Sequence, residues 1–234
     1  MNNARYLRNN WILAGISTLG TVWFPFNASA CGLALLFAMD VSLSIDDTEY
    51  QLQSRGMAMA LQQADVQQVI GSVPGGVAMS VLQWSGGGEQ FVTLPWTLVS
   101  DPTEIDRFAA KIMAMPRMFV GDTAPGSALE YGVVLHDSNP WTCARLVIDL
   151  SGDGSQNTGY DTGVASRLAV NYGITVNGLA ILGSDRRIVQ FFIRNVVRGP
   201  KSFLETTNGF EDFEEAFHKK LLREIPLELA ELSD

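Results

Sequence analysis

The stretch LALLFAMDVSLS, residues 33–44, decides how the chain folds. Leu33–Met39 is continuously apolar, as a strand buried on both faces must be. Asp40 ends that run, and Ser42 and Ser44 follow at alternate positions in a loop. A second run, ARLVIDL (144–150), leads to Asp153 between Gly152 and Gly154. A third, ITVNGLAIL (174–182), reads as another buried strand. Strands hidden on both faces form a mostly parallel sheet between two layers of helices. Such sheets bind ligands at the carboxyl ends of their strands, where Asp40 and Asp153 fall.

The intervening segments supply the helices. Tyr50, Leu52, Met57, Leu61, Ala64 and Val69 recur at near-helical spacing and predict one helix over 46–70. VAMSVLQWS (77–85) and FVTLPWTLV (91–99), joined by GGGEQ, predict a hairpin. Pro95 cannot donate to a ladder on both sides, so the second run belongs at a sheet edge. Further helices are predicted over 101–115, 127–135, 162–173, 186–197 and 210–225, with a second edge strand over 201–207. The last helix carries acids early and bases late, which suits its dipole.

The 234 residues suffice for one domain with a full core. A net charge of −9, with no basic patch, excludes nucleic acid as a partner. The N-terminus reads as an export signal: Arg5 and Arg8, an apolar stretch over 11–26, then Ala28-Ser29-Ala30 as a small-x-small cleavage site. The domains are therefore a signal peptide (1–30) and one mature domain (31–234) in the periplasm or secreted. The alternatives are an uncleaved anchor, which would be the only membrane contact, and a lipoprotein acylated at Cys31. Cys31 and Cys143 each open a strand-like run, nine and ten residues before Asp40 and Asp153. If the aspartates meet at one end of neighbouring parallel strands, the cysteines meet at the other, within reach of a disulfide.

Asp40, Ser42, Ser44, Asp153 and Thr123, from GDTAPGSALEYG, fit one metal site. Carboxylates and hydroxyls are hard oxygen donors and suit Mg²⁺ or Mn²⁺, with Ca²⁺ behind them. The combination resembles the von Willebrand factor A-type domain and its metal-ion-dependent adhesion site. That site is built from Asp-x-Ser-x-Ser after the first strand, a distant Thr, and an Asp after the fourth strand. The five residues match it one by one, although Gly152 stands where the family usually has Thr. VIDLSGDGSQNTG, GITVNGLAI, the Trp84 and Trp96 strands and FEEAFHKKLLREI are similar to one bacterial subfamily, domain of unknown function 1194. The resemblance covers about 31–228.

The resemblance implies a Rossmann-like α/β fold with one antiparallel edge strand. It implies that Ser42, Ser44 and Thr123 contact the ion directly or through water, with Asp40 and Asp153 just outside. A vacant position would accept a carboxylate of a protein partner, which makes the chain a binding module and not an enzyme. Two alternatives stand beside it: a hydrolase activating water at the same ion, with Asp122, Asp149 or Asp161 as base, and a scaffold with a vestigial site.

Asp149 lies inside a strand, where an unpaired carboxylate is costly. It is either a buried partner of donors near the site or the start of a calcium loop. In the second reading Asp149, Ser151, Asp153, Gly154, Ser155 and Asn157 imitate an EF-hand, with Tyr160 at the place of its glutamate. His136 and His218 are isolated and read as surface or helix residues. Trp84, Trp96 and Trp141 read as core or rim packing. There is no Gly-x-Ser-x-Gly elbow, and Gly121-x₄-Gly126 lacks the lysine of a P-loop.

Overall fold

The computed structural model describes residues 30–183 and 186–226. The expected export signal lies outside them, except for Ala30, which opens the first strand. Six strands form one sheet: β1 (Ala30–Asp40), β2 (Val77–Trp84), β3 (Gln90–Val99), β4 (Thr142–Gly152), β5 (Ile174–Ile181) and β6 (Leu204–Thr207). Their order is β3-β2-β1-β4-β5-β6, and only β3 runs antiparallel. Pro95 thus sits on an edge strand, as expected.

Helices α1 (Asp47–Leu61), α2 (Ala64–Gly71), α3 (Pro102–Ala114) and α7 (Phe213–Glu224) cover one face of the sheet. Helices α4 (Pro125–Asp137), α5 (Thr162–Asn171) and α6 (Arg187–Phe191) cover the other. The pleat of β1 feeds both layers: Leu33, Leu35, Phe37 and Met39 point one way, Leu36 and Ala38 the other. Each is essentially fully buried, and each large one contributes roughly 1.5–3 kcal/mol.

Several boundaries differ from expectation; β6 begins at Leu204 and α7 at Phe213, each three residues later than predicted. The helix over 46–70 is two helices, broken where Gln63 turns extended. Val66 and Ile70 are the buried residues of α2. At 3.6 residues per turn they lie about half a turn out of phase with Met57 and Leu61, so only a break lets both pairs face the core. Ala64 is exposed in consequence. Helix α4 begins two residues early because Pro125 suits the first helical position. The helix over 186–197 is α-helical only to Phe191, and Phe192–Val196 form a π turn.

The register pairs Cys31 with Cys143, their Cα atoms 4.4 Å apart, and the two form a disulfide. The same register continues to Met39 opposite Ser151. Asp40 and Asp153 therefore leave neighbouring strands at the opposite end of the sheet. No helix of the described residues is long and apolar enough to cross a membrane.

Candidate metal centre

The five expected residues converge at that end of the sheet. Asp40 is fully buried, and its Oδ1 accepts the Ser42 N–H at 2.8 Å, which turns the chain out of β1. Ser42 and Ser44 hold their hydroxyls 3.2 Å apart. Ser44 Oγ donates to Asp153 Oδ1 at 2.6 Å, and Thr123 Oγ1 donates to Ser42 Oγ at 3.4 Å. Three segments far apart in sequence are thereby joined through hydroxyls and carboxylates, beside backbone hydrogen bonds such as Leu43 N–H to the Gly121 carbonyl at 2.8 Å.

Asp40 Oδ2 is buried and has no hydrogen-bond partner. Gly152 makes the room beside it, since a Cβ there would lie 2.8 Å from that oxygen. Burial pushes the Asp40 carboxyl up to about 7, and the charge of Asp153 adds to the shift. Burial also raises Asp153, against the hydrogen bond from Ser44. Two crowded carboxylates, one with an orphaned oxygen, and three hydroxyls fit a hard divalent cation. The fit depends on the hydroxyls: among the described residues no three His, Cys, Asp or Glu gather as ligands.

Four other side chains position this set; of these the sequence singled out only Asn157, and for a calcium loop rather than for this role. Arg117 Nη2 donates to the carbonyls of Val41, Ser42 and Ile45 at 3.1, 2.9 and 2.6 Å, bracing the serine loop from behind. Its Nη1 pairs with Asp47 at 3.1 Å. Gln53 donates to the Asp40 carbonyl at 3.0 Å and accepts from Ser151 Oγ at 3.1 Å. Ser85 Oγ accepts the Gly121 N–H and donates to the Asp122 carbonyl. Asn157 brackets Thr123, its Oδ1 accepting the Thr123 N–H at 2.9 Å and its own N–H donating to the Thr123 carbonyl at 3.0 Å. A helical glutamine and a lone arginine carry no local signal of such roles, because their targets are backbone carbonyls distant in sequence.

Several expectations are corrected. Asp149 does not turn to donors near the site; Lys220 Nζ on α7 lies 2.6 Å from its Oδ2, with Glu224 alongside. Asn157 is spent on Thr123, so the stretch from Asp149 to Tyr160 does not close as a calcium loop. Asp161 caps α5 by accepting the Val164 N–H, and Asp122 is exposed. His136 is on a helix but not at the surface: it is 6% exposed and tilted against Trp96, with its Nε2 3.1 Å from the Val147 carbonyl. His218 pairs with Asp65 at 3.0 Å. Trp84 is fully buried, and Trp96 Nε1 donates to the Leu135 carbonyl.

The strand order, the single antiparallel edge and the layers of helices define a von Willebrand factor A-like domain. Residues 30–228 match the family described as Protein of unknown function (DUF1194), and the chain belongs to that family. No curated protein matches it in sequence. Among solved structures it is similar to proximal thread matrix protein 1 from the mussel byssus, with TM-score 0.63, 17% identity, and coverage of 82% of this chain and 47% of that one. It is similar to the open pilus adhesin SpaC from Lactobacillus rhamnosus GG, with TM-score 0.59, 11% identity and coverage of 83% and 30%. It is also similar to a von Willebrand factor type A structure from Catenulispora acidiphila, with TM-score 0.58, 16% identity and coverage of 82% and 42%. The chain spans less than half of each of these three. One structure of the mussel protein has a zinc-occupied MIDAS motif. At these identities the likeness is one of fold.

Proposed function

We propose that the chain is an exported binding module that captures an acidic group of a protein partner through a divalent cation. Mg²⁺ or Mn²⁺ would be held by Asp40, Ser42, Ser44, Thr123 and Asp153. The ion would supply an electrophilic position, and the protein's own residues would do the rest. The hydroxyls are neutral donors and leave the cation's charge largely uncompensated. Asp40 and Asp153 orient them and balance part of that charge. The exposed side chains of Leu43 and Val120, 72% and 59% accessible, flank the cluster and offer apolar contact beside an acidic anchor.

The observation that carries this reading is the orphaned, fully buried Oδ2 of Asp40, opposite the space left by Gly152. A scaffold with no use for the site would more cheaply bury an apolar side chain there. Binding without turnover is supported by where Asp122, Asp149 and Asp161 stand: one is exposed, one faces Lys220 and one caps a helix. Export is supported by the Cys31–Cys143 disulfide, which persists in oxidising compartments. The zinc-occupied motif of the mussel protein supports a divalent metal.

Calorimetric titration with Mg²⁺, Mn²⁺ and Ca²⁺, beside Asp40→Ala and Ser42→Ala, tests it. Saturable binding in the wild type, lost in both variants while their circular dichroism is unchanged, is the expected result. Wild-type protein that takes up no metal would overturn the reading.

A further inference from the structure

The loop carrying Asp153 is flanked by a basic groove in an otherwise acidic chain. Between residues 162 and 203 there are six Lys or Arg and a single acid, Asp185, whereas the whole chain carries −9. Ser155, two residues beyond Asp153, forms one wall of a groove of about 560 Å³. Arg187, Gln190, Phe191, Arg194 and Asn195 form the rest. Positions 187, 190, 191 and 194 recur at helical spacing and present one face.

The groove is built firmly. The π turn at Phe192–Val196 re-aims its last residues, and such turns are frequent at functional sites. Arg198 braces it, donating from Nη2 to the Arg194 carbonyl at 3.1 Å and from Nε to Ser166 Oγ at 3.0 Å. Asn195 Nδ2 donates back to the Phe191 carbonyl at 3.1 Å. Arg194 itself is exposed and forms no ion pair among the described residues. On the other side of the metal cluster stand the exposed acids Asp46, Asp47 and Asp122. The arginines thus gather on the α6 side of the cluster, where Asp161 at the start of α5 stands near Asn195, and the acids on the α1 side include Asp47, which is paired with Arg117.

We propose that this groove is a second anchor for the same partner, receiving a carboxylate of an acidic peptide segment whose neighbouring acid occupies the metal site. The inference rests on the metal-dependent reading above. Arginine suits the role because its planar fork matches a carboxylate with two parallel hydrogen bonds. The two-residue step from Asp153 to Ser155 sets the scale. That step covers at most ~7 Å and the arginines lie across the groove beyond Ser155, so an extended peptide advancing ~3.3 Å per residue needs more than one residue between its acids to reach them. The placement of these charges favours one direction, because a second acid running toward Asp46 and Asp122 would be repelled.

The test uses the full chain and capped glycine peptides carrying one Asp, or two Asp separated by two, three or four Gly, titrated by NMR in Mg²⁺ and in EDTA. One two-Asp spacing should bind at least about tenfold tighter than the one-Asp peptide, the gain from tethering a second contact. Arg187→Gln/Arg194→Gln should abolish that gain and leave Mg²⁺-dependent binding of the one-Asp peptide unchanged. Equal binding of one- and two-Asp peptides at every spacing would overturn the inference while leaving the metal site standing. So would a gain that survives in the double variant. Loss of all Mg²⁺-dependent peptide binding would instead sink the metal-site reading and this inference with it. Arginine-dependent capture of phosphatidylglycerol vesicles, without any two-Asp gain, would assign the groove to a membrane surface and overturn the proposal.

Discussion

Lys220 and Asp149 face each other at 2.6 Å in the interior, both essentially without solvent contact. At that separation the ammonium donates to Asp149 Oδ2, while Oδ1 has no partner. Glu224, 3.2 Å from the same ammonium, makes two carboxylates for one cation. Burial raises the Asp149 carboxyl; Lys220 opposes that and Glu224 reinforces it. Asn177 donates to Glu224 Oε1 at 2.5 Å and takes up part of the imbalance. The cluster pins α7 to β4 and β5.

Removing the cation therefore costs more than removing the pair. Lys220→Met should destabilise the fold by about 3–5 kcal/mol, because it strands buried carboxylates. Lys220→Met combined with Asp149→Leu should cost less than the single change, because one stranded charge is gone. Denaturant unfolding of the two variants checks the order; a double variant weaker than the single would contradict it.

Arg117 acts on the candidate site through the backbone. It holds three carbonyls of the 41–45 loop and touches none of the five candidate ligands' side chains. Arg117→Met should leave the sheet intact and lower Mg²⁺ affinity by about 10–100-fold, the usual effect of losing an outer positioning contact. Arg117→Lys should recover little, since one ammonium cannot reproduce the planar fork. Calorimetry on both variants, with circular dichroism as the fold control, gives the answer.

The sheet and the five converging residues were legible because each depends on local pattern. Continuous apolar runs mark doubly buried strands, and an aspartate ending such a run marks the strand's carboxyl end. What was not legible depends on pairing across the chain. Lys220 and Glu224 look like an ordinary i, i+4 pair on an amphipathic helix until α7 is laid over Asp149. The break after Leu61 follows from a phase mismatch that appears only once the core face of α1 is known. His136 reads as isolated because its partners, Trp96 and the Val147 carbonyl, lie on other elements.

The disulfide ties the start of β1 to the start of β4, 112 residues apart. A closed loop of that size restricts the unfolded chain by about 2–5 kcal/mol. Cys31→Ala/Cys143→Ala should lose stability in that range while leaving metal binding unchanged, because the bond lies at the far end of the sheet. Denaturant midpoints with and without reductant measure the first, and calorimetry the second. Loss of metal binding with the fold retained would contradict the separation of the two ends.

His136 should make stability depend on acidity with a definite sign. Burial lowers its pKa to about 4, and only the hydrogen bond at the Val147 carbonyl resists the shift. In the unfolded chain the ring titrates at about 6.5. Above that pH both states are neutral and the residue has no linkage effect. As the pH falls below it, the unfolded chain takes up a proton that the fold refuses, so stability is lost down to about pH 4. The integrated loss is on the order of 3 kcal/mol. Asp149 works in the opposite sense: its raised carboxyl holds a proton the unfolded chain has released, so its contribution falls as pH rises. The wild-type curve alone therefore mixes the two. The difference in unfolding free energy between wild type and His136→Gln cancels the shared carboxylates. It should fall steadily from pH 6.5 to 4 and stay level from pH 7 to 8. A difference that does not change across the acidic window would mean that the ring protonates freely in the fold.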